Sequence, residues 1–155
     1  MVLSFLMNTI RDWLYIGKYR DTLDAGLLSA HEIGAMLQLA EAVKHPVIES
    51  LYLPVEDGIP LEEQYLREGI DFILDQKQLG RKVLIACGAG MSRSAVFAVA
   101  VLNEAEELGL LEALRAVKTH HPDTLIHPAL WGSLSAYYRE KVAYQSTLNV
   151  MFSDR

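Results

Sequence analysis

A single cysteine and an arginine six residues later mark the part of the chain with the clearest chemical content. Cys87 is the only cysteine among the 155 residues, and it follows the apolar run 83–86. A stretch of small residues and then Arg93 come next, before a second apolar run at 94–99. This order predicts a buried strand that ends at a cysteine, a short loop and a helix that begins near the arginine.

The residues after the cysteine suit an anion-binding loop. Gly88, Ala89 and Gly90 are small enough to let backbone N–H groups turn inward. The start of a helix adds further unpaired N–H groups and the positive end of its dipole. The planar guanidinium of Arg93 can bind two oxygens of a phosphate group at once. Residues 88–93, which we call the 88–93 loop, are therefore predicted to form a phosphate-binding site.

The same surroundings predict a nucleophile at Cys87. A thiol at a helix N-terminus beside an arginine is stabilised as the thiolate at neutral pH. Ser94, next to the arginine, can hydrogen-bond the sulfur and ease its departure from a covalent intermediate. A lone cysteine after a strand is often only a core residue, but the glycines, the strand and the helix together favour the nucleophile.

Covalent phosphate transfer also needs a proton donor for the leaving oxygen, and Asp57 is our candidate. Asp57 follows the strand expected to end near Leu53, whereas Cys87 follows the strand that ends at Ala86. One helix separates these strands, so a right-handed crossover makes them parallel and brings both following loops to one edge of the sheet. Two alternatives stay open, since an aspartate before glycine is also a common turn signal and Glu56 is an adjacent carboxylate.

The elements that must position these residues alternate in type along the chain. Short apolar runs and amphipathic stretches take turns, which is typical of a parallel sheet covered by helices. The predicted strands are 13–16, 35–39, 47–53 and 83–86. The predicted helices are one capped by Thr22, one that starts at Pro60 and ends at Gly80, 94–108 ended by Gly109, 110–120, and 128–142. We expect an α/β fold in which a central, mostly parallel sheet of four to five strands has helices on both faces.

Composition and charge narrow the possible partners. With 51% apolar and 22% charged residues the chain reads as one domain over residues 1–155. A net charge of −6 offers no broad positive field, so nucleic acid is not an expected partner. One cysteine forms no internal disulfide and no zinc cluster, which indicates a reducing compartment and no metal. No segment approaches the ~20 apolar residues of a membrane span, so we expect a cytoplasmic, soluble protein.

These residues resemble the cysteine-based protein phosphatases and, within them, the small dual-specificity phosphatases. Cys87, five intervening residues, Arg93 and Ser94 look like their signature loop. The segment 54–57, Pro-Val-Glu-Asp, looks like the one that carries their general acid, and 14–17 looks like their first strand. The resemblance covers roughly residues 12 to 142, which would be the core of the domain.

The resemblance implies a reaction path. Cys87 would attack phosphorus to form a phosphocysteine, while Asp57 would protonate the leaving oxygen and then activate the water that releases phosphate. The phosphoryl oxygens would be held by the loop, namely Gly88, Ala89, Gly90, Met91, Ser92 and Arg93. No metal or cofactor is implied. The implied substrate is a phosphorylated protein or peptide, carrying phosphotyrosine and also phosphoserine or phosphothreonine, because the short chain leaves little room to deepen a tyrosine-only pocket.

Two positions depart from the family pattern. The family usually has a histidine before the nucleophile, where it braces the loop, and here that position is Ala86. Pro128-Ala129 stands where many members have Pro-Asn. We therefore expect somewhat weaker stabilisation of the thiolate than in the family at large. His120 and His121, near a helix end, are expected to face solvent.

Other functions fit the same loop. The substrate could be a phosphoinositide, a nucleotide or an RNA 5′ end, although the loop has no lysine or second arginine for extra phosphates. A phosphate-binding module without turnover is a further alternative, suggested by Ala86. A sulfurtransferase or an arsenate reductase also uses a looped cysteine, but the latter typically recruits more thiols. Tyr19, Arg20 and the 58–60 turn are candidates for the pocket rim.

Overall fold

Five strands form the single sheet of the computed structural model, which describes residues 7–152. The strands are β1 Asn8–Arg11, β2 Leu14–Lys18, β3 Ile33–Gln38, β4 Glu49–Tyr52 and β5 Lys82–Cys87. Their spatial order is β1-β2-β5-β3-β4. All neighbouring strands are parallel except β1, which runs antiparallel to β2. The predicted mostly parallel sheet is confirmed.

Six α-helices lie within the described part of the chain, and they cover both faces of the sheet as expected. They are α1 Ala25–Ala30, α2 Glu63–Gln78, α3 Arg93–Glu106, α4 Leu110–His120, α5 Pro128–Tyr138 and α6 Tyr144–Met151, and a 3-10 helix at Tyr19–Leu23 precedes α1. Helices α2 to α6 share the larger core with one face, and α1 packs on the other. No helix within residues 7–152 has the length and apolar character needed to cross a membrane.

Strand β5 occupies the centre of the sheet, between β2 and β3. Its apolar run does not alternate because both faces are covered, and Val83 to Cys87 are all buried. Cys87 lies beside Lys18 of β2, and Ala86 lies beside Gln38 of β3. The carboxyl ends of three parallel strands therefore meet at the edge where the cysteine stands.

The starts of two helices differ from the prediction. Asp24, rather than Thr22, caps α1, since its side chain accepts from the N–H of Leu27 at 2.9 Å. Helix α2 begins at Glu63 and leaves Pro60 outside. The N–H of Leu61 is instead donated to the hydroxyl of Ser133 in α5, so this segment is tied to another helix before α2 starts.

Two helices end earlier than the sequence suggested. Glu107 takes a left-handed conformation with φ 55° and ends α3, while Gly109 is the N-cap of α4 rather than the end of α3. Helix α5 stops at Tyr138 because Arg139 is left-handed, with φ 53°, rather than continuing to Val142. Strand β1 and helix α6 were not predicted, since both are short, with four and eight residues.

Candidate active site

The 88–93 loop connects the end of β5 to the start of α3. Cys87 is the last residue of the strand and is 2% exposed, and Arg93 is the first residue of the helix. Gly90 has φ 72°, and a Cβ atom there would lie 2.9 Å from the carbonyl oxygen of Gly17. A side chain at position 90 would clash with β2, so the tight loop requires glycine at that position.

A small cavity of about 150 Å³ opens above the cysteine. Its lining residues are Asp57, Cys87, Ala89, Met91, Ser92, Arg93 and Leu125. The structure therefore brings the predicted nucleophile, the predicted acid and part of the predicted phosphate-binding site to one cavity. This follows from the topology, because the loops after β4 and β5 leave the same edge of the sheet.

Arg93 connects the 88–93 loop to two neighbouring loops. Its Nη1 donates to the carbonyl oxygen of Val55 at 2.9 Å and lies 3.4 Å from that of Leu39. A Cβ atom on Gly88 would lie 3.0 Å from Nη2, so the other arm of the guanidinium crosses close to the start of the loop. Nη1 is thus anchored to the protein, and Nη2 lies close to the start of the 88–93 loop.

Asp57 and Glu56, which the sequence could not separate, occupy different sites. Asp57 lines the cavity that contains Cys87, and one of its oxygens accepts from the N–H of Gly58 at 3.1 Å. Glu56 instead lines a separate pocket with Pro54 and Tyr65. Of the two carboxylates, only Asp57 is placed beside the cysteine.

The two serines of this region have contrasting surroundings. Ser94 is fully buried, and its hydroxyl has no hydrogen-bond partner among residues 7–152. Ser92 is also buried, but its hydroxyl accepts from the N–H of His127 at 3.0 Å. A buried hydroxyl without a partner lowers stability. Of the two serines, Ser94 is therefore the one whose hydroxyl is available to donate a hydrogen bond to a bound group.

A segment after α4, residues 121–127, supports the 88–93 loop at successive residues. The Nε2 of His121 contacts the carbonyl oxygen of Gly90 at 2.5 Å. The N–H of Leu125 donates to the carbonyl of Met91 at 3.0 Å, and the N–H of His127 donates to the hydroxyl of Ser92, the next residue of the loop. Sequence reasoning did not find this support, because these contacts join residues more than thirty positions apart.

The prediction for His121 was wrong, whereas His120 is exposed as expected. His121 is 4% exposed, and its Nδ1 is hydrogen-bonded to the side-chain amide of Asn8. Burial lowers the pKa of His121 below its ordinary value, although the hydrogen bond to Gly90 opposes that change. Pro122 is the one local signal, since it ends α4 before His121 and turns this residue out of the helical pattern.

The remaining predicted positions are distributed as follows. Tyr19 and Arg20 line a wider pocket of about 530 Å³ that shares Ala89 and Met91 with the cavity above the cysteine. Of the 58–60 turn, Ile59 and Pro60 line the pocket of Glu56 instead, and Gly58 does not line it. Ala86 packs among apolar residues on the opposite face of the sheet from the larger core. No cluster of three metal-binding side chains occurs among the described residues.

Comparison with known proteins defines the class of the chain. Residues 14–140 match the family model of the dual specificity phosphatase catalytic domain. The chain therefore belongs to this family, as the resemblance predicted.

Individual relatives agree with that assignment. The chain is 31% identical to human dual specificity protein phosphatase 22 over 117 residues, which are 72% of this chain and 62% of the relative. It is 26% identical to mouse dual specificity protein phosphatase 19 over 141 residues, which are 88% of this chain and 64% of the relative. The chain thus spans less than two thirds of the length of either protein.

The fold is also that of solved phosphatase structures. The crystal structure of DUSP15 superposes with a TM-score of 0.79 at 24% identity, covering 93% of this chain and 96% of that one. Human DUSP28 superposes with a TM-score of 0.78 at 22% identity, covering 86% and 93%. The arrangement of sheet and helices is therefore shared with both.

Proposed function

We propose that this chain hydrolyses phosphate monoesters on phosphorylated proteins or peptides through a phosphocysteine intermediate. The observation that carries the proposal is the cavity shared by Cys87, Arg93 and Asp57 at the carboxyl edge of the sheet. A nucleophile, an anion-binding group and a proton donor are the parts that this reaction needs. Membership of the dual-specificity phosphatase family agrees with it.

Substrate binding comes first. The phosphoryl group enters the cavity, and its oxygens accept from backbone N–H groups of the 88–93 loop and from the guanidinium of Arg93. Because Nη1 is anchored to Val55, the arginine needs little reorganisation when the anion arrives. Preorganised donors of this kind stabilise the charge that builds up in the transition state.

The chemical steps then use Cys87 and Asp57 in turn. The sulfur of the Cys87 thiolate attacks phosphorus, the bond from phosphorus to the ester oxygen breaks, and the Asp57 carboxyl gives its proton to that oxygen. In the second step Asp57 takes a proton from water, the water oxygen bonds to phosphorus, and the phosphorus–sulfur bond breaks. The hydroxyl of Ser94, buried and otherwise unpaired, donates to the departing sulfur.

The substrates that we favour are phosphotyrosine, phosphoserine and phosphothreonine in proteins or peptides. The compartment that we favour is the cytoplasm. Only the ten residues 53–62 connect β4 to α2, and a connection this short supports a pocket that is not deepened for phosphotyrosine alone. The single thiol of the chain is the proposed nucleophile, which suits a reducing compartment.

A kinetic comparison tests the proposal. Phosphate release is measured with p-nitrophenyl phosphate, phosphotyrosine and phosphothreonine peptides, a phosphoinositide and a nucleotide, using the wild type and the Cys87→Ser variant. We expect turnover of the aryl ester and the peptides, and its loss in Cys87→Ser. Turnover that survives the substitution would exclude Cys87 as the nucleophile. Faster turnover of the phosphoinositide or the nucleotide than of the peptides would contradict the proposal that phosphorylated proteins are the substrates.

A further inference from the structure

The carbonyl of Gly90 is held from behind the loop by a buried histidine. The Nε2 of His121 lies 2.5 Å from this oxygen, and neither Gly90 nor His121 is among the residues that line the cavity. Gly90 itself is buried, and its Cα faces the backbone of Gly17 in β2. The contact is therefore part of the support of the loop rather than of the substrate pocket.

His121 is itself held firmly. Its N–H donates to the carbonyl of Val117 at 2.8 Å, which continues the hydrogen bonding of α4 by one residue. Its own carbonyl accepts from both the N–H and the hydroxyl of Thr124, at 3.0 and 2.7 Å. His121 as a whole is 4% exposed, and the Oδ1 of Asn8 in β1 contacts its Nδ1. A side chain fixed on all these sides can act as a reference for the loop.

The direction of the hydrogen bond follows from the partners. A carbonyl oxygen only accepts, so Nε2 must carry the proton that it donates to Gly90. In the structure the Oδ1 of Asn8 faces Nδ1, and a half-turn of this amide presents its NH2 group there, which is the partner that a neutral ring protonated at Nε2 needs. The ring can therefore keep the bond to Gly90 in its neutral form, which burial favours.

The peptide bond between Gly90 and Met91 converts this contact into an effect on the anion site. In a trans peptide the carbonyl and the following N–H point in opposite directions, and the described residues contain no cis peptide. With the Gly90 carbonyl turned toward His121, the Met91 N–H points the other way, toward the side where Met91 lines the cavity. If this peptide rotated, a carbonyl dipole would face the phosphate in place of a donor.

We propose that His121 is a positioning residue of the 88–93 loop, which holds the Gly90 carbonyl away from the cavity and so keeps the Met91 N–H directed at the bound phosphoryl group. The inference rests on the proposed function, because it assumes that the cavity binds a phosphoryl group. It assigns support of the loop to a histidine that lies far from the nucleophile in sequence.

Binding of tungstate, an oxyanion similar to phosphate in shape, tests the inference without requiring turnover. Titration calorimetry compares the wild type with His121→Leu, which removes the donor, and with His120→Leu, which changes the exposed neighbour. We expect the Kd for tungstate to rise roughly tenfold to a hundredfold in His121→Leu, the usual effect of one hydrogen bond to a charged group. His120→Leu should stay within about twofold of the wild type.

A pair of amide variants separates positioning from simple stability. Glutamine places its nitrogen close to the position of Nε2, whereas asparagine places it near Nδ1, so His121→Gln should keep tungstate affinity and His121→Asn should lose it. Equal affinities in these two variants, or wild-type affinity in a folded His121→Leu, would overturn the inference. If His121→Leu does not fold, the amide pair decides.

The two proposals fail in different ways. Absence of phosphate release by the wild type from every ester tested would refute the proposed function, yet tungstate binding would still report on the loop. Turnover by the wild type with unchanged tungstate affinity in His121→Leu would refute only the role of His121.

Discussion

The guanidinium of Arg93 donates to the carbonyl of Val55 across 2.9 Å, and this bond joins the loop of the proposed nucleophile to the loop of the proposed acid. Val55 is buried, two residues before Asp57. The same side chain that would bind the phosphoryl oxygens therefore also fixes the position of the segment that carries the proposed proton donor.

Replacement of Arg93 by lysine should damage both functions of this side chain. Lysine keeps the charge but has a single nitrogen, so it cannot bind Val55 and a phosphoryl oxygen with separate arms. We expect kcat/KM for p-nitrophenyl phosphate to fall roughly a hundredfold to a thousandfold. The exposed Arg115, replaced by lysine, is the matched control and should retain wild-type kinetics; comparable activity in the two variants would contradict this role of Arg93.

The two neighbouring carboxylates should behave differently. Asp57→Asn removes the proton donor, and kcat should fall roughly a hundredfold to ten-thousandfold. The loss should be larger for a phosphothreonine peptide than for p-nitrophenyl phosphate, since p-nitrophenolate leaves without much help from an acid.

Glu56→Gln is the control, because Glu56 faces another pocket. Steady-state kinetics on both substrates measures the contrast. A larger defect in Glu56→Gln than in Asp57→Asn would reverse the assignment of the acid.

Ser94 and Ser92 should separate catalysis from stability. Ser94→Ala removes a buried hydroxyl that has no partner within residues 7–152, so the free energy of unfolding should stay the same or rise by about 1 kcal/mol. Breakdown of the phosphocysteine should nevertheless slow, because the sulfur leaves without a hydrogen bond.

Stopped-flow measurement should then show a burst of p-nitrophenolate before slow turnover in Ser94→Ala. Ser92→Ala should give the opposite pattern, since it leaves the N–H of His127 unpaired and costs about 1 kcal/mol of stability. Ser94→Ala with lowered stability and no burst would exclude the proposed role.

A feature of the site is predictable from the sequence when the residues that determine it are close together along the chain. β5, the 88–93 loop and α3 follow from consecutive residues, so their order and the position of Cys87 are predicted well. The choice between Asp57 and Glu56 depends on which way a turn faces, which adjacent residues cannot reveal. The environment of His121 depends on Gly90 and on Asn8, 113 residues away, and no local pattern encodes such a contact.

Helix boundaries show the same limit. The start of α2 is delayed because Ser133 takes the N–H of Leu61, 72 residues away in the chain. Threonine is a residue type that often caps helices, but the hydroxyl of Thr22 donates to the carbonyl of Tyr19 within the 3-10 helix. In both places a tertiary or competing local hydrogen bond outweighs the intrinsic preference on which the prediction relied.

A cluster of charged and aromatic side chains lies between α2, α3 and α5. It predicts how the free energy of unfolding depends on pH in the acid range. Arg67 donates to Glu104 through both terminal nitrogens, at 2.8 and 2.9 Å, and to the hydroxyl of Tyr137 at 3.1 Å. Tyr138 also donates to Glu104. Burial opposes ionisation of Glu104, but the hydrogen bonds from Arg67 and Tyr138 outweigh it and lower the pKa of this carboxyl below its ordinary value.

Because this pKa is lower in the folded chain than in the unfolded one, the stabilisation is fully present well above the ordinary pKa of a glutamate and is lost as the pH falls through the lower pKa of the folded chain. The contribution should be about 1 kcal/mol or less, since both partners are partly exposed. Urea unfolding between neutral and acidic pH should therefore show a smaller acid dependence in Glu104→Gln. Glu68→Gln, at an exposed position of α2, should keep the wild-type slope, and equal slopes in both variants would contradict the prediction.

Peroxide should inactivate the protein by way of Cys87. A thiolate at an anion-binding site is oxidised first to the sulfenic acid and then to the sulfinic acid, which common thiols do not reduce. Since Cys87 is the only cysteine among the 155 residues, the chain has no second thiol to trap the sulfenic acid as a disulfide.

Dithiothreitol should restore the activity after brief exposure to peroxide but not after prolonged exposure. Tungstate should protect the activity by occupying the cavity. Mass spectrometry should locate the added oxygen atoms on Cys87, whereas activity that persists in excess peroxide would show that this thiol does not react as the proposed mechanism requires.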